Sequence, residues 1–594
     1  MADGKASEPS VFAKRAVLAA LGGAAGLGFW LIAEKLSQHI ENPQALLFVA
    51  LSAGGYFASL LGLAGALPIG RAALAAFPPS VFAAALMIWA SLRYETLGAF
   101  SWRLEHMAAY LIVAALPLPF LAAALSGQGW RYYPTLFNES WALIVRLLAA
   151  ALFAGVVWIG IFLADELLRM AGISLLADLM RTEAVPEIAT GIIAGLALGI
   201  VKEMEDVVSA RLVLGLLRLL ILPAFLVVAL FLAAIPAQGL AGLSALASPA
   251  TTLLAIAAAL TVLVSVAADA HDAYASRSPA VAWPARGLAL LLPALALLAL
   301  YALRLRIEQH GLSPGRIAAG MAGAVLLAYG LFYVFAVLSG ARWRERVREG
   351  NTWMALAVFA FAALWLTPAI HAERISAEHL AARLASGEVA PDKADLWALS
   401  HDWGRAGEAV FARLEAQAAA DSGAAVLRER LALARAAPER TGFDATPERA
   451  QATVASRDEL QAMLPIVPPG KEAVFDRFIL PWYAGSVAPY LEGCKDPTTS
   501  GAPGCVLVVA DLLPESAGEE AILFYKSFGL LRGEVIVAEP FQRRAQAAEI
   551  FGQAPPDFRE SDRIIEELQA GNFTAGPARI NAITVGERQF TLPF

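Results

Sequence analysis

Charge is scarce in this chain. Of its 594 residues 16% are charged and 58% are apolar, and the mean hydropathy is +0.60. Soluble domains run nearer 25% charged and about 45–50% apolar. The shortfall excludes a disordered chain, a fibrous protein and an ordinary soluble enzyme, and it points to a membrane protein with several spans. Cysteine is scarcer still, with only Cys494 and Cys505. Two thiols eleven apart lack the close pairing and the second ligand pair of a zinc site. No apolar span carries a chain of Asp, Glu or His across its middle, so a proton relay has no support. Nor is there a basic stripe: a net charge of −7 gives no support to nucleic-acid binding.

What charge there is divides the chain. Residues 371–594 hold 22 Lys and Arg against 32 Asp and Glu, while residues 1–370 hold 23 against 20. The first part is apolar and the second has the composition of a water-soluble domain. The expected fold is an α-helical polytopic membrane bundle with a C-terminal soluble α+β domain. Its parts are a bundle over 1–370, a helical external segment over 371–440 and a small β-rich external module over 441–594.

About 30 Å of hydrocarbon needs roughly 20 apolar residues at 1.5 Å each. Eleven runs meet or approach that length: Ala16–Ala33, Ala45–Leu67, Ala72–Leu92, Met107–Leu125, Trp141–Ala164, Ile188–Val201, Leu212–Ile235, Ala250–Ala268, Leu288–Leu303, Ile317–Leu338 and Trp353–Ile370. Pro78 and Pro79 weaken the third, and the sixth is short. Pro117, Pro119, Pro223 and Pro293 fall inside spans and should kink them. Leu168–Glu183 reads either as an interfacial helix, with Leu168, Gly172, Leu175, Leu176 and Leu179 on one face, or as an extension of the fifth span. The first span follows Lys14 and Arg15 and reads as an uncleaved anchor rather than a signal peptide.

Basic residues in short loops set orientation. With a cytoplasmic N-terminus, thirteen fall inside and eight outside, and Arg342–Arg348 contributes four of the thirteen. Eleven spans then place the C-terminal domain outside, in the periplasm of a bacterial inner-membrane protein. The cysteines agree. Cys494 and Cys505 flank the turn-rich run Lys495–Gly504, which reads as one disulfide closed in an oxidising compartment.

Few polar features lie within the spans. Arg146 and Arg218 sit near predicted cytoplasmic ends, where long side chains snorkel or pair. Gly191, Gly195 and Gly199 form a small-residue ridge along the short sixth span, and Gly22 and Gly26 form a weaker one. Such ridges let helix backbones approach closely, within the bundle or in a dimer. Lys202–Asp206 is a polar turn with three acids, read as solvated or as a cation site.

In the soluble part, Ser376–Arg440 has a helical pattern broken at Asp421–Gly423. Cys505–Ala510, Ala521–Tyr525, Glu534–Ala538, Arg579–Val585 and Gln589–Leu592 read as strands, Val585–Arg588 as a hairpin turn and Gln542–Phe551 as a helix. His371, His379 and His401 are its only histidines. No serine elbow, zinc pair, phosphate loop or nucleotide fingerprint is present, and no cofactor is expected. Asp511–Glu520 gathers carboxylates without the alternation of a calcium loop.

The run Arg374-Ile375-Ser376, Arg383-Leu384-x-x-Gly387, Asp395-Leu396 and Asp402-Trp403-Gly404-Arg405-x-Gly407 resembles the bacterial inner-membrane family called domain of unknown function 4153. The resemblance implies a multi-span bundle followed by a short segment of this type. It implies no activity and no catalytic residues. Read on its own, Asp402 is a helix N-cap, Trp403 packs and Arg405 is exposed.

The expected role is non-enzymatic, in envelope transport, sensing or assembly. The partners are the lipid bilayer and either an external protein or a small-molecule cargo. The alternative is a membrane-embedded, glycosyltransferase-like enzyme acting on a lipid-linked substrate at the outer leaflet. Such enzymes want an acidic residue in a substantial first external loop, and here that loop is only Glu34–Gln44, with Glu34 and Glu41.

Overall fold

In the computed structural model, residues 11–594 are described except 41, 102, 171–172, 174, 181, 204–209, 239–248, 277, 438–439, 444–455, 472–474, 476–483, 513–518, 528, 537–545, 548, 551–555, 578–580, 586–587 and 592–594. The chain forms two compact units, Met1–Leu431 and Ala432–Phe594.

The first unit is helical. In order come α1 (Val11–Trp30), α2 (Pro43–Leu63), α3 (Ile69–Ser91), α4 (Leu97–Ser101), α5 (Leu104–Ala115), α6 (Pro117–Leu125), α7 (Tyr133–Met170), α8 (Leu175–Met180), α9 (Val185–Glu203) and α10 (Ala210–Leu219). Then follow α11 (Ile221–Gln238), α12 (Pro249–Ala268), α13 (Pro279–His310), α14 (Pro314–Leu338), α15 (Trp343–Trp365), α16 (Ala372–Ala385), α17 (Leu396–His401) and α18 (Gly404–Ala420). The sequence punctuates these ends by familiar chemistry. Asn42 accepts from the backbone N–H groups of Gln44 and Ala45, with Pro43 opening α2. Between α13 and α14, Gly311 takes φ +76°, and Ser313 then caps a helix opened by Pro314.

Among the described residues nine helices are long and apolar enough to cross a membrane, not eleven. The sixth expected span is the shorter apolar helix Val185–Val201. The eleventh begins on the charged turns Trp343-Arg344-Glu345-Arg346-Val347-Arg348 of α15, which lower its hydropathy. Two spans are broken: α5 ends before Pro117, and α10 gives way to α11 three residues before Pro223. Pro78 and Pro79, by contrast, lie within the unbroken α3. At Pro293 inside α13 the neighbour compensates, since Gly330 of α14 leaves room where a Cβ would stand 2.9 Å from the proline nitrogen. The fifth span continues to Met170, as the extension reading expects for the start of Leu168–Glu183, and α8 follows as a separate short helix.

The glycine ridges face each other. A Cβ at Gly191 would stand 2.1 Å from the Gly22 carbonyl oxygen, and one at Gly195 2.1 Å from that of Leu18. Reciprocally, one at Gly22 would meet the Gly191 oxygen at 2.0 Å, and one at Gly26 the Glu187 oxygen at 2.1 Å. No side chain fits there, so α1 and α9 touch backbone to backbone. Gly199 differs: a Cβ there meets the Leu18 Cδ1 at an ordinary 3.5 Å.

Helices α16 to α18 belong to this same unit, packed on the bundle rather than apart from it. Arg93, just past α3, donates to Glu373 of α16 at 3.3 Å and to the Trp365 and Thr367 carbonyls. Both charges are buried. Asp402 does not cap a helix start. It ends α17 and accepts from Arg103 at 2.8 Å, while α18 begins at Gly404. Trp403 is buried and Arg405 exposed.

The second unit holds two sheets. One has the order β1-β2-β3-β4-β5, formed by Ile466–Val467, Cys505–Ala510, Glu520–Ser527, Leu530–Ile536 and Gln546–Ala547. Its β1–β2 pair is parallel and the other pairs are antiparallel. Both faces are covered, which is why Cys505–Ala510 is an unbroken apolar run. Cys505, Leu507 and Val509 pack with Val487 and Leu491 of the helix Ala484–Lys495. Val506 and Val508 pack with Ile564, Ile565 and Leu568 of the helix Phe558–Gln569. Cys494 and Cys505 are bonded across the first interface, with Cα atoms 4.7 Å apart.

The other sheet has the order β6-β9-β8-β7, from Glu549–Ile550, Arg588–Thr591, Asn581–Val585 and Thr574–Pro577. Val585 pairs with Arg588, and residues 586–587 of the expected turn lie outside the described residues. The expected helix Gln542–Phe551 is overturned within its described part: Gln546–Ala547 and Glu549–Ile550 are edge strands, one in each sheet. Its alanine-rich composition favours helix locally, and pairing with β4 and β9 overrides that preference.

Candidate functional site

Five helices of the first unit converge on one groove of about 370 Å³. α6 contributes Pro119 and Phe120, and α7 contributes Tyr133, Phe137, Ser140 and Trp141. Thr261 and Ser265 come from α12, Tyr329 and Tyr333 from α14, and Asn351 and Thr352 from α15. The size falls within the roughly 300–1,000 Å³ of small-molecule sites, and the lining has their character: aromatic walls with few polar groups.

Asn351 is the hub of those polar groups. Its side-chain oxygen accepts from the Tyr333 hydroxyl at 2.6 Å. Its side-chain nitrogen faces the Tyr133 hydroxyl and the Ser265 Oγ, each at 2.9 Å. The Tyr333 hydroxyl also lies 3.5 Å from the Thr261 carbonyl. One amide thus ties α7, α12, α14 and α15 together, and it holds two phenols in fixed positions on the groove floor. Such a network rigidifies a site when every member is satisfied. Chemically the groove can accept a mostly apolar molecule carrying one or two hydrogen-bonding groups.

The groove was hidden from the sequence, but a weak signal existed. Tyr329 and Tyr333, and Thr261 and Ser265, recur at the i, i+4 spacing that places side chains on one helix face. Four residues on two spans do not reveal that the faces meet.

The residues singled out from the sequence lie elsewhere. Arg146 donates to Glu139 at 3.1 Å and to the Ala142 carbonyl, its guanidinium filling the space where a Cβ on Gly65 would stand. Arg218 pairs with Asp269. Gly191, Gly195 and Gly199 lie against α1, as described. Cys494 and Cys505 are in the second unit. Of the expected acidic loops, residue 41, residues 204–206 and residues 513–518 lie outside the described residues, and Glu520 accepts from the Leu512 N–H at 2.8 Å. Among the described residues no group of three or more His, Cys, Asp or Glu is placed to hold a metal ion.

The motif residues at 374–407 gather at one end of the bundle. Gly404, at φ +54°, lies where a Cβ would be 2.5 Å from the Arg93 carbonyl oxygen, and the Arg405 N–H donates to that oxygen at 2.9 Å. Arg383 donates to the Glu308 carbonyl. Burial alone would raise the pKa of Glu373. The hydrogen bond from His371 and the charge of Arg93 overcome it and hold the group at about 2, ionised. Arg93, Glu373, Arg383 and Gly404 of this cluster are engaged in docking α16 to α18, while Arg374 and Arg405 are exposed.

The long apolar helices are those of a multi-pass membrane protein. No family model, no curated protein and no solved structure matches the chain.

Proposed function

We propose that this protein serves transport or sensing in a bacterial inner membrane, taking a small, mostly apolar molecule into the groove on Asn351. The observation that carries the reading is the pairing of aromatic walls with a single satisfied polar hub, on five helices of one bundle. A merely structural contact of this size would fill with side chains, because protein interiors pack to crystal density. In this reading the N-terminus is cytoplasmic and the second unit periplasmic, where its disulfide is stable. The resemblance to the inner-membrane family is part of the same proposal.

The test uses the full chain in lipid nanodiscs and 1-aminoanthracene, an apolar fluorophore with one amine. Saturable binding at one site per chain is expected. Ile144→Trp at the rim and Ser265→Phe on the floor should each abolish it, while Leu152→Phe on the exposed face of α7 should not. Saturable binding that survives both groove variants would place the probe elsewhere and refute the reading.

A further inference from the structure

A second pocket, of about 150 Å³, lies beside the groove and is lined by Asn138, Arg211, Leu214, Arg218, Asp269 and Tyr274. Phe137, Leu214, Val266 and Ala270 pack together, with Trp141 against them, and wall it off from the groove. We propose that it binds the phosphate group of an anionic phospholipid.

Charge comes first. Two guanidinium groups and one carboxylate line the pocket. That carboxylate is already engaged, since Asp269 pairs with Arg218 and accepts from the Ala270 N–H. The remaining lining charge is positive. Arg348, beside the pocket, donates to the Ala268 and Asp269 carbonyls at the end of α12 and is paired with Asp272 at 2.6 Å, so it adds no net charge. Donors come next. The Arg218 Nε is buried without a hydrogen-bond partner among the described residues, and a ligand would reach it only after the side chain shifts. Arg211 rests on the Tyr274 ring, 5.3 Å from its centre, so its fork is positioned without being consumed by an acid. A planar fork suits phosphate oxygens. A cavity needs on the order of 10–15 Å³ to hold one water, so this pocket has room for a five-atom phosphate group.

Placement decides for a lipid over a free anion. Arg211 and Arg218 stand near the two ends of α10, Asp269 just beyond α12 and Tyr274 between α12 and α13, while Asn138 lies more than one turn inside α7. α10 carries both arginines toward the pocket, while Leu212, Leu216 and Leu219 of the same ten-residue helix are exposed. In this first part of the broken span, acyl chains would run along the leucines with the phosphate on the arginines.

The test compares the full chain in phosphatidylcholine nanodiscs with and without phosphatidylglycerol, reading the melting temperature and the lipid retained in native mass spectrometry. Phosphatidylglycerol should raise Tm and be retained. Arg211→Gln, at an exposed residue with no acidic partner in the pocket, should weaken retention by about tenfold. Asn138→Leu at the rim supplies an independent loss should the first variant fold poorly. Arg131→Gln, outside the pocket, should change nothing. Equal retention by the parent and both pocket variants overturns the proposal. Stabilisation by inorganic phosphate in pure phosphatidylcholine nanodiscs, equal to that by phosphatidylglycerol, overturns the lipid assignment. Because the pocket is separate from the groove, 1-aminoanthracene binding should persist in Arg211→Gln.

Discussion

Adding one methyl group at Gly195 tests the α1–α9 contact more sharply than any large substitution. The new Cβ of Gly195→Ala would stand 2.1 Å from the Leu18 carbonyl oxygen, 2.9 Å from its carbon and 3.2 Å from the Ala19 Cα. All three are backbone atoms, so no rotamer can relieve the clash. Restoring ordinary contact means moving the helices apart by about 1 Å, and a gap of that order forfeits roughly a quarter to a half of each contact's attraction. Overpacking of this kind costs about 1–3 kcal/mol. Ala is the better helix former by about 1 kcal/mol, which acts in the opposite direction. Gly195→Ala should therefore lose up to about 2 kcal/mol net. Gly199→Ala, one turn further on, meets the Leu18 Cδ1 at 3.5 Å and the Arg15 Cα at 3.6 Å, both ordinary contacts, and should keep the propensity gain. Gly155→Ala, with nothing within 4 Å, gives the reference. The assay is thermal melting of the full chain in detergent, where Gly195→Ala should melt several degrees below Gly199→Ala and Gly195→Leu lower still. If Gly195→Ala melts at or above Gly199→Ala, the backbones are not in contact and the packing argument fails.

Thiol labelling of denatured, unreduced protein from the envelope should find Cys494 and Cys505 unreactive; labelling of both would remove the bridge. Replacing both by Ser should destabilise the second unit by about 2–3 kcal/mol on the chain-entropy model and leave the melting of the first unit unchanged. The depressed pKa of Glu373 stabilises the fold fully above about pH 4.5, and that contribution is lost as pH falls toward about 2. Stability of the parent between pH 5 and 3 should fall more steeply than that of Glu373→Gln, and parallel profiles would contradict the ion pair's role. A periplasm-dependent reporter fused after Phe594 should be active if both α9 and α15 cross the membrane; activity of a cytoplasm-dependent reporter there would change the parity of the spans.

What the sequence reveals follows the range of the interactions. Strands β2, β3, β8 and β9 were legible because covered or alternating strands leave short apolar runs bounded by turn residues. The glycine ridge was legible because three glycines four apart have few other uses in an apolar helix. Asp402 was misread because its acid and spacing fit a cap equally well, and its true partner, Arg103, is 299 residues away. The same distance effect hid the docking of α16 to α18. Arg93 and Glu373 are 280 residues apart, and each reads alone as a solvated charge at a helix end. Two expected spans fall outside the nine long apolar helices among the described residues: α9 is short, and α15 opens on arginines. The groove was least legible, because a cavity is a property of five helices together and no single one records it.

The two regimes of packing explain why the groove stays open. At α1 and α9 glycines bring backbones into contact and leave no volume. Around Asn351 the facing residues are Tyr133, Phe137, Trp141, Tyr329 and Tyr333, whose flat rings hold helices apart and tile poorly. Rings alone would rotate to close the space, since a void forfeits attraction on every wall. The Asn351 network prevents this by fixing two phenols at once. If that is correct, the residues act as one unit and their substitutions should not add. Asn351→Leu leaves the Tyr133 and Tyr333 hydroxyls without their amide partner, each at a cost of about 1–3 kcal/mol. Tyr333→Phe removes one of those hydroxyls itself. The double variant should therefore be less destabilised than the two losses combined, by about 1 kcal/mol or more, and both single variants should weaken 1-aminoanthracene binding as the rings relax inward. Strict additivity, with binding unchanged, would mean that the network is incidental and that helix packing alone holds the groove.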